Sequence, residues 1–173
     1  MDETSIRIVA APPGTTPHFE VEAVVIEDDT YLVLGADPVA KASNESARES
    51  LSRATAAQAL EPGTVVVKSG DPLRLHAVVH DLSREPSWTE EWVASALEEV
   101  VRSADEREIR SLSMPLLGTL YGTLNPRKCV ELIRDALAQT TLSYLANIWI
   151  VTPPDTLNGI RDSLRTLGAE LAD

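Results

Sequence analysis

From residue 64 to its end the chain alternates short β-branched runs with longer amphipathic stretches. The order is strand, strand, helix, strand, helix, strand, helix. This alternation is the strongest constraint on the fold. A helix between two strands is the usual crossover of a parallel pair, and its apolar stripe must be buried against the sheet it crosses. The expected architecture is therefore a three-layer α/β/α sandwich with a mixed central sheet. In such sheets ligands sit beyond the C-terminal ends of strands, close to helix N-termini.

Strands are expected over residues 6–10, 21–26, 31–34, 64–68, 75–80, 109–114 and 148–151. Glu27-Asp28-Asp29-Thr30 reads as a polar turn between the second and third of these, with the Asp28-Asp29 pair solvated. Helices are expected over 46–60, 88–103, 126–139 and 155–168. Ser46 and Ser87 each stand three residues before a glutamate, the spacing of a capping box. Asn125-Pro126 supplies a cap and a first-turn proline to the third helix. With 173 residues, and no repeat or linker, residues 1–173 are expected to form one domain.

The chain carries 15 basic against 27 acidic residues, a formal charge of −12. Nucleic-acid binding through a basic footprint is excluded by that balance. An anion could still be held by backbone N–H groups. No apolar run is long enough to span a membrane. The start, Met1-Asp2-Glu3-Thr4, lacks the pattern of a secretory leader, and Cys129 is the sole cysteine. A cytoplasmic chain is expected.

Residues 114–126 leave a strand and enter a helix through Gly118 and Gly122. Glycines there let the backbone approach a ligand closely, and an ordinary strand-to-helix loop would use them for turn geometry. His76 and His80 are four apart in a strand, so both should point to one face. Neither has the third ligand of a metal site, and no metal or cofactor is expected. Cys129 lacks a partnered histidine and reads as a core residue.

Three segments together resemble the macro domain, an ADP-ribose-binding family. Leu75-His76-Ala77-Val78 is similar to its Ile-His-Ala-Val strand. Val21-Glu22-Ala23-Val24-Val25 is similar to its Val-Asp-Ala-Ile-Val. The run Pro115-Leu116-Leu117-Gly118-Thr119-Leu120-Tyr121-Gly122 is similar to its second phosphate loop, Pro-Ala-Ile-Gly-Thr-Gly-Ile-Tyr-Gly. The resemblance implies ADP-ribose or a related nucleotide in a cleft above the strand ends. It puts adenine on Glu22 and the distal ribose beside Asp29. The first loop, with Gly35, Ala36, Asp37 and Val39, would wrap ribose and phosphates. The second, with Leu117, Gly118, Thr119, Leu120, Tyr121 and Gly122, would clasp the diphosphate.

The chain departs from that pattern at each contact region. Ile26-Glu27-Asp28-Asp29 stands where the family has Asn-Ala-Ala-Asn. Gly35-Ala36-Asp37-Pro38 replaces a glycine run, adding a negative charge and removing an N–H. The second loop is one residue short and lacks its middle glycine, and Thr152-Pro153-Pro154 replaces an aromatic. The expectation is a divergent macro-like domain with weak or undetectable nucleotide binding. Two other classes stay open. One is a degenerate fold acting as an accessory or interaction module, with a protein partner or a second copy. The other is a hydrolase of ADP-ribose derivatives, for which the sequence offers no catalytic residue.

Overall fold

The computed structural model describes residues 5–35 and 59–172. Seven strands form one mixed sheet: β1 (Arg7–Ala11), β2 (Ala23–Asp29), β3 (Val65–Lys68), β4 (Leu73–His80), β5 (Ser111–Pro115), β6 (Asn147–Val151) and β7 (Glu170–Leu171). Their order is β3-β4-β2-β5-β6-β1-β7. Only β3 runs antiparallel to its neighbour. The other pairings are parallel. The C-terminal ends of β1, β2, β4, β5 and β6 therefore share one edge. Together with the helices this is the expected α/β sandwich.

Among the described residues the helices are α1 (Glu90–Glu106), α2 (Pro126–Gln139), α3 (Pro154–Gly159) and α4 (Arg161–Leu167). One face of the sheet presents Ile8, Ala10, Ala23, Val25, Leu112 and Ile148 to α1 and α2. The alternate residues Val9, Ala11 and Trp149 lie in a second, smaller cluster with Phe19. That is the strict two-residue period of strands packed on both sides. The helix expected over 46–60 lies outside the described residues.

The third expected helix matches in full, with the Asn125 side chain accepting from Arg127 N–H at 3.0 Å. The last one is broken at Ile160 into α3 and α4 and stops at Gly168, which has φ 89°. Residues 170–171, beyond the expected helix, return to the sheet edge as β7. The cap of α1 is Thr89 rather than Ser87, its hydroxyl accepting from Trp92 N–H at 3.2 Å. Residue 88 instead pairs with His80 as an isolated bridge, which holds the chain extended until Thr89.

The larger difference is at β2. The strand does not end at Ile26 but runs through Glu27, Asp28 and Asp29, all buried. The expected solvated turn is thus strand interior. Residues 31–34 are a turn rather than a third strand, with Leu32 at φ 57°. The Asp29 carboxylate accepts from the N–H groups of Tyr31, Val33 and Leu34 at 3.2, 2.7 and 2.9 Å. The backbone wraps that side chain instead of extending.

Replacing Thr89 by alanine should cost about 1 kcal/mol of unfolding free energy, the usual value of a helix N-cap, while Ser87→Ala should cost little. Urea unfolding of the two variants, followed by circular dichroism, separates them.

Candidate ligand cleft

Three consecutive carboxylates end β2, and each is held differently. Glu27 Oε1 accepts from Gly118 N–H at 2.7 Å. Its Oε2 takes Tyr121 N–H at 3.1 Å and lies 2.7 Å from His80 Nε2. Asp28 Oδ1 accepts from the N–H groups of Asp29 and Gly35, and Oδ2 lies 2.8 Å from His76 Nδ1. Asp29 takes the three amides of its turn. Burial of a carboxylate is tolerable only with such pairing.

Successive strand residues face opposite sides, so Glu27 and Asp28 cannot share a partner. The two histidines divide accordingly, although their spacing predicted one face. A bulge explains this. Asp28 aligns with Val78 but Asp29 with His80, so β4 carries one extra residue there. The extra residue reverses the parity between His76 and His80 and brings His80 round to Glu27.

The electrostatics follow from these contacts. Burial alone would raise the Asp28 carboxyl, but hydrogen bonds from His76, Gly35 and Asp29 outweigh it and hold it below the usual carboxylate range. Asp29 is pushed up, chiefly by burial and also by its neighbour Asp28, against the three turn amides. Burial, with Glu27 nearby, pushes the Cys129 thiol up to about 12.

The loop between β5 and α2 turns on Gly118, which has φ 82°. A Cβ on Gly122 would meet the Gly118 carbonyl and the Trp88 ring. Gly122 is therefore required by packing inside the loop, whereas the sequence suggested close approach to a ligand. Leu117 is buried in the core, and the Thr119 hydroxyl donates to the Leu116 carbonyl at 2.6 Å. Leu120 and Tyr121 are 63% and 51% exposed at the rim. The Tyr121 ring meets His80 edge-on, with centroids 6.3 Å apart.

Two hollows open along this edge of the sheet. One of about 650 Å³ is lined by Pro115, Thr119, Gly122, Asn125, Thr152 and Thr156, among others. The second, of about 390 Å³, lies over Ile26, Glu27, Gly35 and Tyr121. No lysine or arginine lines either one among the described residues.

The structure brings Asp29, Gly35 and residues 117–122 to this edge. It does not bring Glu22 there. Glu22 precedes β2, and its Oε2 accepts from Arg110 N–H at 2.9 Å, at the entrance to β5. It stands five residues, roughly 17 Å at strand rise, from Glu27 and on the opposite edge. The adenine role expected for it is not compatible with that position. Ala36, Asp37 and Val39 lie outside the described residues. Glu27 was not among the expected site residues. Its signal was the acidic triplet following a β-branched run, opposite a strand with two histidines. Among the described residues no group of three His, Cys, Asp or Glu side chains could hold a metal ion. No helix there is long and apolar enough to cross a membrane.

A family model for the macro domain matches residues 34–133. No curated protein sequence matches the chain. Among solved structures, the macrodomain of Thermus aquaticus DarG is 23% identical, with a TM-score of 0.59, and the match covers 86% of this chain and 99% of that one. An Oceanobacillus iheyensis macrodomain variant with ADPR is 14% identical, with a TM-score of 0.65 and 91% of both chains covered. The macrodomain of the same organism with ADP is 15% identical, with a TM-score of 0.60, covering 86% and 85%.

A carboxyl whose folded-state pKa lies below its ordinary 3.8 adds stability that is fully present above that value and lost as pH falls through the folded pKa. Asp28→Ala should therefore be less stable than the parent at pH 7, with the difference narrowing below about pH 4. Urea midpoints across that range check it. Cys129 should not react with a thiol reagent at pH 8 until the protein is unfolded, because the native thiol is buried and un-ionised.

Proposed function

The chain belongs to the macro domain family, and on that premise we propose that it is a divergent member whose cleft holds ADP-ribose or a related nucleotide weakly. The observation that carries this reading is the state of the loop amides. Gly118 and Tyr121 donate to Glu27, Tyr31, Val33 and Leu34 to Asp29, and Gly35 to Asp28. A diphosphate would have to displace internal carboxylates to reach these donors. Each charge-assisted hydrogen bond so lost is worth about 1.5–3 kcal/mol. Two such losses weaken binding by roughly a hundredfold or more.

On this reading the ligand lies beside Leu34, Gly35 and residues 117–122, with the hollow beside Asn125 and Thr152 taking its uncharged part. The sequence carries a further negative charge at Asp37, two residues past Gly35. The domain takes in residues 1–173, a reading supported by a sheet whose strands run from Arg7 to Leu171. A cytoplasmic location suits a chain with a single cysteine.

Hydrolysis has the least support. The Glu27, Asp28 and Asp29 carboxylates are buried and all accept backbone N–H groups, which commits them to holding the loops. An accessory module that binds no nucleotide is the second reading. The exposed Leu120 and Tyr121 at the cleft rim favour it.

Calorimetric titration with ADP-ribose tests the proposal. Weak heat, with a dissociation constant well above about 1 μM, is expected, and Asp37→Gly with Pro38→Gly should strengthen it. Tight binding by the unaltered chain would overturn the argument. Complete silence, even in the double variant, would favour the accessory module.

A further inference from the structure

The Glu27 carboxylate is 1% exposed and has three donors converging on it: Gly118 N–H, Tyr121 N–H and His80 Nε2, at 2.7, 3.1 and 2.7 Å. Two of them belong to one loop, and they approach both oxygens of the same group. Convergent backbone N–H groups beside an imidazole form a concavity for an oxyanion, whether carboxylate or phosphate. The hollow over Glu27 is lined by Glu27 itself, Gly35 and Tyr121, so the carboxylate and one of its three donors border the cleft.

We infer that Glu27 is an internal anion that closes the loop cradle to phosphate and so determines which ligands the cleft accepts. The inference deepens the nucleotide reading above and rests on it for the identity of the cleft. It commits to one chemistry. The position filled by Glu27 takes a small tetrahedral oxyanion once the side chain is shortened. While Glu27 is present, the phosphate groups of a nucleotide add nothing to its affinity.

His80 supports this assignment. Its Nε2–H donates to Oε2, and its buried Nδ1 has no partner among the described residues. Among the described residues Glu27 is the one hydrogen-bond partner of its ring, and the Tyr121 ring packs edge-on against it. The charged groups around the carboxylate are few. His80 faces it from β4, the loop contributes only amides, and α2 contributes the un-ionised Cys129. On β2 itself the neighbouring acids Asp28 and Asp29 are held by donors of their own, His76, Gly35 and the amides of the 31–34 turn.

The test is chemical rescue with inorganic phosphate. Thermal unfolding of the parent, Glu27→Ala and Glu27→Gln is measured in chloride and in phosphate at matched ionic strength. Glu27→Ala should melt several degrees lower in chloride and recover a larger share of that loss in phosphate than either other protein gains. Glutamine fills the same space, so Glu27→Gln should gain no more than the parent. The comparison removes the general stabilisation that phosphate gives any protein. If Glu27→Ala does not fold in chloride, its refolding yield in phosphate reads the same rescue. Equal gains in all three proteins, or failure to fold in both buffers, would overturn the inference. Parallel titrations with adenosine and ADP-ribose should give the parent a ratio near one, and Glu27→Ala should favour ADP-ribose by tenfold or more. If neither nucleoside nor nucleotide binds while phosphate still rescues, the nucleotide reading fails and the role of Glu27 stands.

Discussion

The buried carboxylate of Glu27 fixes the geometry on which the ligand edge of this protein depends. It reaches from the central strand β2 to the loop before α2 and to the last residue of β4, joining three elements through one side chain. A charge this deep is stabilising only while all its partners stay in place. The loop is thereby held against the sheet without any ligand. Gly118, at φ 82°, and Gly122, packed on Trp88, give the backbone the path that aims its amides inward. Asp28 and Asp29 do the same for the turn at 31–35. In each case a buried carboxylate takes up the backbone N–H groups of the chain around it.

The alternation of β-branched and amphipathic stretches was enough to read the sandwich, because it reports which surfaces must be buried. Residues 126–139 were legible to the residue, since Asn125 and Pro126 act locally as cap and first turn. The end of β2 was not. Glu27-Asp28-Asp29 has the composition of a turn, and only partners 50 or so residues away, His76 and His80, make it strand. The spacing of those histidines misled for the same reason. It counts along a regular strand and is blind to the bulge in β4.

The candidate site was legible in outline and misassigned in detail. The segment 117–122 was recognised from its glycines and does stand at the C-terminal edge of the sheet. What its glycines serve was not visible, because Gly122 is constrained by Trp88, which is distant in sequence. Glu22 was singled out by motif position. Its hydrogen bond to Arg110 N–H shows that it secures the far edge of β2 against the entrance to β5.

The bulge in β4 also bears on how such chains are compared. The strand spends one residue, between Val78 and His80, on turning its register rather than on lengthening the sheet. Deleting a residue there would leave the strand almost as long and its apolar character intact. It would nevertheless exchange the faces of everything beyond the deletion, taking the imidazole of His80 away from Glu27 and leaving a lone charge under the loop. An alignment that places a gap at this point would pass unnoticed by any measure of hydrophobicity. It would still equate two chains whose ligand edges are wired differently.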